Sequence, residues 1–174
     1  MRSNLPRKPS PVTKKFADKW GKLFNVPPIW LGTIAFIESS DNPLKINMAR
    51  EDKGGAWGLM QQMADEVDFK LGKIAQTRVG KLPMVKATMA KWTGVASDLL
   101  DPDLNMMLAA WQISQLRKRF GRFEYVIAAY HQGDNAVRRR IEQKQPVVSP
   151  TEQPKGYKYV QRAILTHNFL ASRS

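Results

Sequence analysis

The sequence predicts a mostly α protein, a compact helical domain with one small non-helical or hairpin insert, and three observations carry that expectation. Apolar residues recur at helical spacing, most plainly Leu104, Met107, Leu108 and Trp111 at i, i+3, i+4 and i+7. The periodic segments open on proline or aspartate and stop at glycine, as helices do. One polar stretch, from Ser39 to Gln61, instead holds Gly54, Gly55 and Gly58, and its turn chemistry predicts the insert.

Taken in order, Arg2 to Thr13 contains Pro6, Pro9 and Pro11 and reads as a basic tail, leaving residues 14–174 as a single domain. Lys14 to Phe24 reads as a basic amphipathic helix, with Phe16, Trp20 and Leu23 on one side of the wheel. Pro27-Pro28 opens a second helix, since proline suits the first turn. From Ile29 to Ile37 that helix is apolar on nearly every side, so it must be buried. Residues 63–100 are the least legible, with one or two helices expected around Gly72, Gly80 and Pro83. Asp101-Pro102-Asp103 starts the clearest helix, which carries Arg117-Lys118-Arg119 in its last turn and Gly121 past its end. Phe123 to His131 gives another apolar helix stopped by Gly133, Asp134 or Asn135 offers a cap for the next, and Tyr157 to Phe169 closes the chain.

Composition narrows the function classes. There is no cysteine and only two histidines, His131 and His167, which excludes a disulfide framework and argues against a structural zinc site. No cofactor is implied. The formal charge is +13, and residues 1–24 and 135–174 each contribute +6 of it, so the ends are basic around a nearly neutral middle. Such ends predict contact with an anionic surface. As a solvated helix face, Arg138-Arg139-Arg140 would need no partner. No apolar run of secretory type occurs near Met1, and the longest uncharged run, Asn25 to Ile37, is broken by Pro27-Pro28 and falls short of the ~20 apolar residues of a bilayer span. Neither Sec export nor a transmembrane segment is expected.

Familiar catalytic signatures are missing: the chain has no G-x-S-x-G and no H-E-x-x-H, and Gly80-Lys81 lacks the rest of a phosphate loop. Glu38 is the residue that breaks a local rule. It ends an apolar helix, where burial and the negative end of the dipole both disfavour its charge. A carboxyl kept protonated in this way can serve as a general acid. Gly55-Ala56-Trp57-Gly58-Leu59-Met60-Gln61 combines backbone freedom, an aromatic surface and an amide, features that suit an uncharged N-acetyl sugar. Ala129-Tyr130-His131-Gln132-Gly133 gathers a phenol, an imidazole and an amide at a helix end.

The order of these pieces carries a resemblance. Ile37-Glu38-Ser39-Ser40, then Gly55-x-x-Gly58-Leu59-Met60-Gln61, Asp101-Pro102 leading to Asn105, Ala129-Tyr130-x-x-Gly133 and Tyr159-Val160 together resemble the lytic transglycosylase domain of the soluble-lytic-transglycosylase and goose-type-lysozyme group. The similarity runs from about Phe24 to Leu165. It implies an α+β lysozyme-like, mostly α fold that cleaves peptidoglycan glycan strands between N-acetylmuramic acid and N-acetylglucosamine. Position by position, it implies Glu38 as the single acid/base, Ser39 as a hydroxyl that helps hold it, Met60, Gln61 and Tyr130 as substrate contacts, and Tyr159 as the tyrosine whose hydroxyl approaches the carboxyl. His131 stands where the family has asparagine, and an imidazole does not offer the amide's paired donor and acceptor.

The implied reaction yields a 1,6-anhydro sugar without net addition of water. A hydrolase of the same bond, like goose-type lysozyme, would need a second carboxylate to activate water, for which Asp41, Glu51 and Asp52 are candidates. A different class, a non-enzymatic basic helical protein that binds nucleic acid or assembles into a virion, would use the +13 charge and leave Glu38 idle. Small size and the missing export signal resemble phage-encoded wall-degrading enzymes. That setting implies a virion or host-cytoplasm location before action on the periplasmic wall, as an endolysin or as a virion part used in infection, with virion proteins as partners in the second case.

Overall fold

The structure is a computed structural model and describes residues 7–49 and 55–173. Helix α1 spans Pro11–Phe24. It starts three residues before the Lys14 expected from the sequence: Ser10 caps it by accepting from the Thr13 amide at 3.2 Å, and Pro11 takes the first turn, where its missing N–H costs nothing. Proline 11 therefore initiates the helix, and part of the expected tail is folded, with Thr13 fully buried.

Helix α2, Pro28–Ser39, is buried along nearly its whole length through Leu31, Ile34, Ala35, Phe36 and Ile37. Two consecutive left-handed residues, Ser40 and Asp41, stop it and turn the chain into the insert. There β1 (Ile46–Asn47), β2 (Ala56–Trp57) and β3 (Gln62–Met63) form an antiparallel sheet in the order β1-β2-β3, with Ile46 opposite Trp57 and Ala56 opposite Met63. Asn105 pins this sheet to the helical body. Its Nδ2 donates to the carbonyls of Trp57 and Leu99, each at 2.8 Å, and its Oδ1 accepts from the Met60 amide at 2.7 Å. Gly58 makes the approach possible: its φ is +74°, and a Cβ there would lie 2.2 Å from the Leu99 carbonyl oxygen.

Two short helices fill the poorly legible region, α3 (Val67–Ala75) and α4 (Pro83–Met89), joined by single 3-10 turns. Helix α5, Pro102–Phe120, is the central element, packed on α1 to α4 and on α6 (Phe123–Gln132). Asp101 caps it as expected, accepting from the Asp103 and Leu104 amides at 2.9 Å each. Neither Asp134 nor Asn135 caps α7 (Asp134–Glu142). Gly133 takes the cap position, and the Asp134 carboxylate forms an ion pair with Arg119 instead. Helix α8, Pro154–Ala171, opens on Pro154, three residues before the expected start, and packs against α2 and α6. That placement brings residues 121 positions apart into contact at the end of α2. The mostly α expectation, with one small hairpin-like insert, is the architecture found, and no helix of the described residues is long and apolar enough to cross a membrane.

Candidate active site

Glu38 is the penultimate residue of α2, half-buried, and its Oε1 accepts a hydrogen bond from the Tyr159 hydroxyl of α8. Burial pushes the Glu38 carboxyl above its ordinary range, and the Tyr159 bond and the charges of Lys45 and Arg162 only partly oppose it. Lys45 also donates to the Glu38 backbone carbonyl, placing a cation on the negative end of the α2 dipole. The Tyr159 phenol is pushed well above its usual value by burial and by the Glu38 charge, so it remains a donor. His131 stacks flat on Tyr159, with ring centroids 4.0 Å apart and planes 11° apart. Burial pushes the imidazole's pKa down, so its neutral form faces the site at neutral pH. The result is an acid held by one phenol, with an aromatic wall behind that phenol.

Tyr130 of α6 lies close enough to feel the Glu38 charge. Its hydroxyl donates to the Met60 carbonyl at 2.8 Å and accepts from Gln62 Nε2 at 2.7 Å. Glu38, Tyr130, His131 and Tyr159 are therefore brought together as the sequence implied. The other three residues take different roles. Ser39 donates to the Ala35 carbonyl at 2.8 Å and accepts from the Asn42 amide at 3.1 Å, so its hydroxyl braces the turn after α2 and does not touch the carboxyl. Met60 is wholly buried, and its contribution is backbone: the amide is bound to Asn105 and the carbonyl to Tyr130. A sugar contact by its side chain is not possible in this geometry. Gln61, in a left-handed conformation, spends Nε2 on the Lys45 and Gly58 carbonyls, while its enclosed Oε1 has no hydrogen-bond partner.

Of the carboxylates weighed as a second catalytic group, Asp41 is committed elsewhere. It accepts from the Ser10 amide at 2.6 Å, from the Ser10 hydroxyl at 3.2 Å and from Thr13, which locks the α2 exit to the start of α1. Glu51 and Asp52 lie outside the described residues. Among the described residues no cluster of His, Cys, Asp and Glu is arranged to hold a metal ion.

Sequence reasoning missed the support beneath Tyr130. Lys70 of α3, with a side chain only 6% exposed, donates to Gln62 Oε1 at 2.9 Å and Gln112 Oε1 at 3.0 Å and pairs with Glu66 at 2.8 Å. Burial lowers its pKa, with Glu66 opposing. Because an ammonium only donates, Gln62 must turn its oxygen to Lys70 and its nitrogen to Tyr130, which in turn directs the phenol proton to the Met60 carbonyl. The signal was present in the sequence: Val67, Lys70 and Ile74 share one helix stripe, and the lysine interrupts an otherwise apolar face. Lys45 and Arg162 carried no comparable signal, since both act through tertiary packing.

Residues 15–147 match the transglycosylase SLT domain family. The chain belongs to that family. It is accordingly a lytic transglycosylase domain acting on peptidoglycan, and the matched residues include Glu38, Gly58 to Gln61, Asn105 and Tyr130. No curated protein matches the chain. Tyr159 and Arg162 lie beyond the residues matched to the SLT domain, on α8.

Proposed function

We propose that this domain cleaves the bond between N-acetylmuramic acid and N-acetylglucosamine with Glu38 as its sole acid/base, releasing a 1,6-anhydro-muramic acid end. The observation that carries this reading is the Glu38 carboxyl, bound to Tyr159 and the one carboxyl raised by burial among the described residues, with Asp41 bound to Ser10 and Thr13. Most glycosidases divide acid and nucleophile or base between two carboxyl groups. Here one group serves in turn. Protonated Glu38 gives its proton to the glycosidic oxygen as the C1–O bond breaks, and the substrate's own N-acetyl carbonyl oxygen stabilises the electron-poor C1. Carboxylate Glu38 then takes the proton of the muramic acid 6-hydroxyl as O6 closes on C1. Glu38 ends protonated, and no water is consumed. Tyr159 steadies the carboxylate form by donating to it, and its own raised pKa keeps that donor available.

The setting we favour is a phage enzyme that attacks the host wall at lysis or infection. The support is the wall-active family to which the domain belongs. Mass spectrometry of muropeptides released from purified sacculi tests the reaction: products should end in 1,6-anhydro-muramic acid, lighter by one water than lysozyme products. Glu38→Gln should lower release by about 10²-fold or more, since it removes both proton transfers while leaving the amide able to accept from Tyr159. Reducing ends from the earliest time points would instead assign a hydrolase and direct attention to Glu51 and Asp52.

A further inference from the structure

Arg162 stands one helical turn beyond Tyr159 on α8 and therefore faces the same side of the helix. Its guanidinium lies over the ring of Phe36, 5.6 Å from the centroid, and Phe36 precedes Glu38 by two residues on α2. The guanidinium thus bridges the two helices that build the acid site. It is also uncommitted: no carboxylate of the described residues pairs with it, and its Nη2 is enclosed without a hydrogen-bond partner. Arg162 is half-buried, and an enclosed guanidinium nitrogen without a partner is costly to keep, a cost that stacking on an aromatic face returns only in part. An arginine in this position has a reason to be there if its charge acts on something nearby, and its field does favour the anionic forms of Glu38 and Tyr159.

We propose that Arg162 is a positioning residue for the reaction, a fixed cation on the Phe36 ring that lets Glu38 alternate between acid and carboxylate. The proposal rests on Glu38 being the acid/base. Burial alone would disfavour the carboxylate left by the first half of the reaction, when Glu38 has given up its proton and must persist as an anion long enough to take one from the 6-hydroxyl. Tyr159 supplies one donor to that anion, and Arg162 supplies a positive charge on the same helix. The groups facing Glu38 are Tyr159 and Arg162 from α8, Lys45 from the loop before β1, and Tyr130 with the His131 ring from α6, with Glu66 acting on Tyr130 from further off. Lys45, tied to the Glu38 backbone carbonyl, also favours the carboxylate by its charge, and Arg162 adds a second cation held on α8 by the Phe36 ring.

The test uses Arg162→Met, which keeps the stem over Phe36 and removes the charge, and Arg162→Lys, which restores charge without the planar fork. Carboxyl ¹³C NMR titration of the intact protein, with Glu38 assigned from Glu38→Gln, should show the Glu38 midpoint moved to higher pH in Arg162→Met and returned toward wild type in Arg162→Lys. The alkaline limb of kcat/KM on sacculi should move in the same direction, with kcat reduced more than KM is raised. A structural role would lower the melting temperature and activity at all pH values without moving either midpoint. An unchanged Glu38 midpoint in a folded Arg162→Met protein would overturn the proposal. If the midpoint moves but the pH profile does not, Arg162 tunes a carboxyl that does not limit turnover, and the positioning role is likewise overturned. Failure of the acid/base assignment would look different: Glu38→Gln would remain active while the NMR coupling persisted.

Discussion

A carboxyl built to give up a proton in a buried site weakens the fold that holds it. Glu38 binds its proton more tightly in the folded chain than in the unfolded one, because burial outweighs Tyr159, Lys45 and Arg162. Between the ordinary value of 4.5 and the raised one, the folded state carries more protons, so stability falls as pH climbs through that window. Below it the group is neutral in both states and the loss disappears. Glu38→Gln should therefore raise the melting temperature at about pH 8 and leave it nearly unchanged at about pH 3.5, as thermal unfolding at the two pH values would read. An equal shift at both would mean the gain comes from packing and not from the charge. The importance of Glu38 was legible in the sequence from a carboxylate ending an apolar helix; Tyr159 was reached only through the family resemblance, and Arg162 not at all, because both come from a helix more than a hundred positions away.

At the scale of elements, the legible parts were those whose signals are local. Asp101 caps α5, Gly58 turns the insert, and the apolar length of α2 predicts its burial, each from adjacent residues alone. Pro11 misled because proline both ends and begins helices, and the Ser10 cap that decides between them is settled only when Asp41 arrives from the end of α2. Lys70 was hidden in the same way: a lysine on an apolar stripe reads as a surface residue until Gln62, Gln112 and Glu66 close around it from three sides. This network predicts non-additive stability. Lys70→Met should cost about 1–3 kcal/mol by leaving two amide oxygens without a donor. Gln62→Leu should cost a similar amount, since it strips an acceptor from a buried ammonium. The double variant replaces the pair with apolar groups and should cost less than the sum by about 0.5–3 kcal/mol in a urea-unfolding cycle. Additive costs would show that Lys70 and Gln62 do not depend on each other, and the direction they impose on Tyr130 would lose its basis.

Across the whole molecule, the charge that surrounds this site is arranged, not merely plentiful. The two basic segments both reach the same element, since α1 and α8 each pack on α2, the helix that ends at Glu38. Their residues nevertheless divide into two kinds. Lys19 is spent on Asp103 at 2.7 Å, and Arg140 donates to the Pro146 carbonyl at 2.6 Å and to Glu152 at 2.7 Å, so the arginine triplet is not a uniform solvated face. Arg138, Arg139, Lys15 and Lys22 are exposed, with the loose Arg138–Glu142 pair at 3.7 Å and Lys15 over the Phe16 ring as their contacts among the described residues. Peptidoglycan carries stem-peptide carboxylates, and surface charges of this kind attract it over a Debye length of about 10 Å at 0.1 M salt. Removing the chain up to Thr13 would be a poor test, because it takes away the α1 cap and the partners of Asp41. Neutralising Lys15, Lys22, Arg138 and Arg139 to glutamine leaves those contacts intact. The variant should sediment less with sacculi at low salt, show a flatter salt dependence, and keep its activity on short soluble glycans. Undiminished binding at low ionic strength would mean that the free charges do not tether this domain to the wall, and would move their explanation to another polyanion, of which nucleic acid is the first to try.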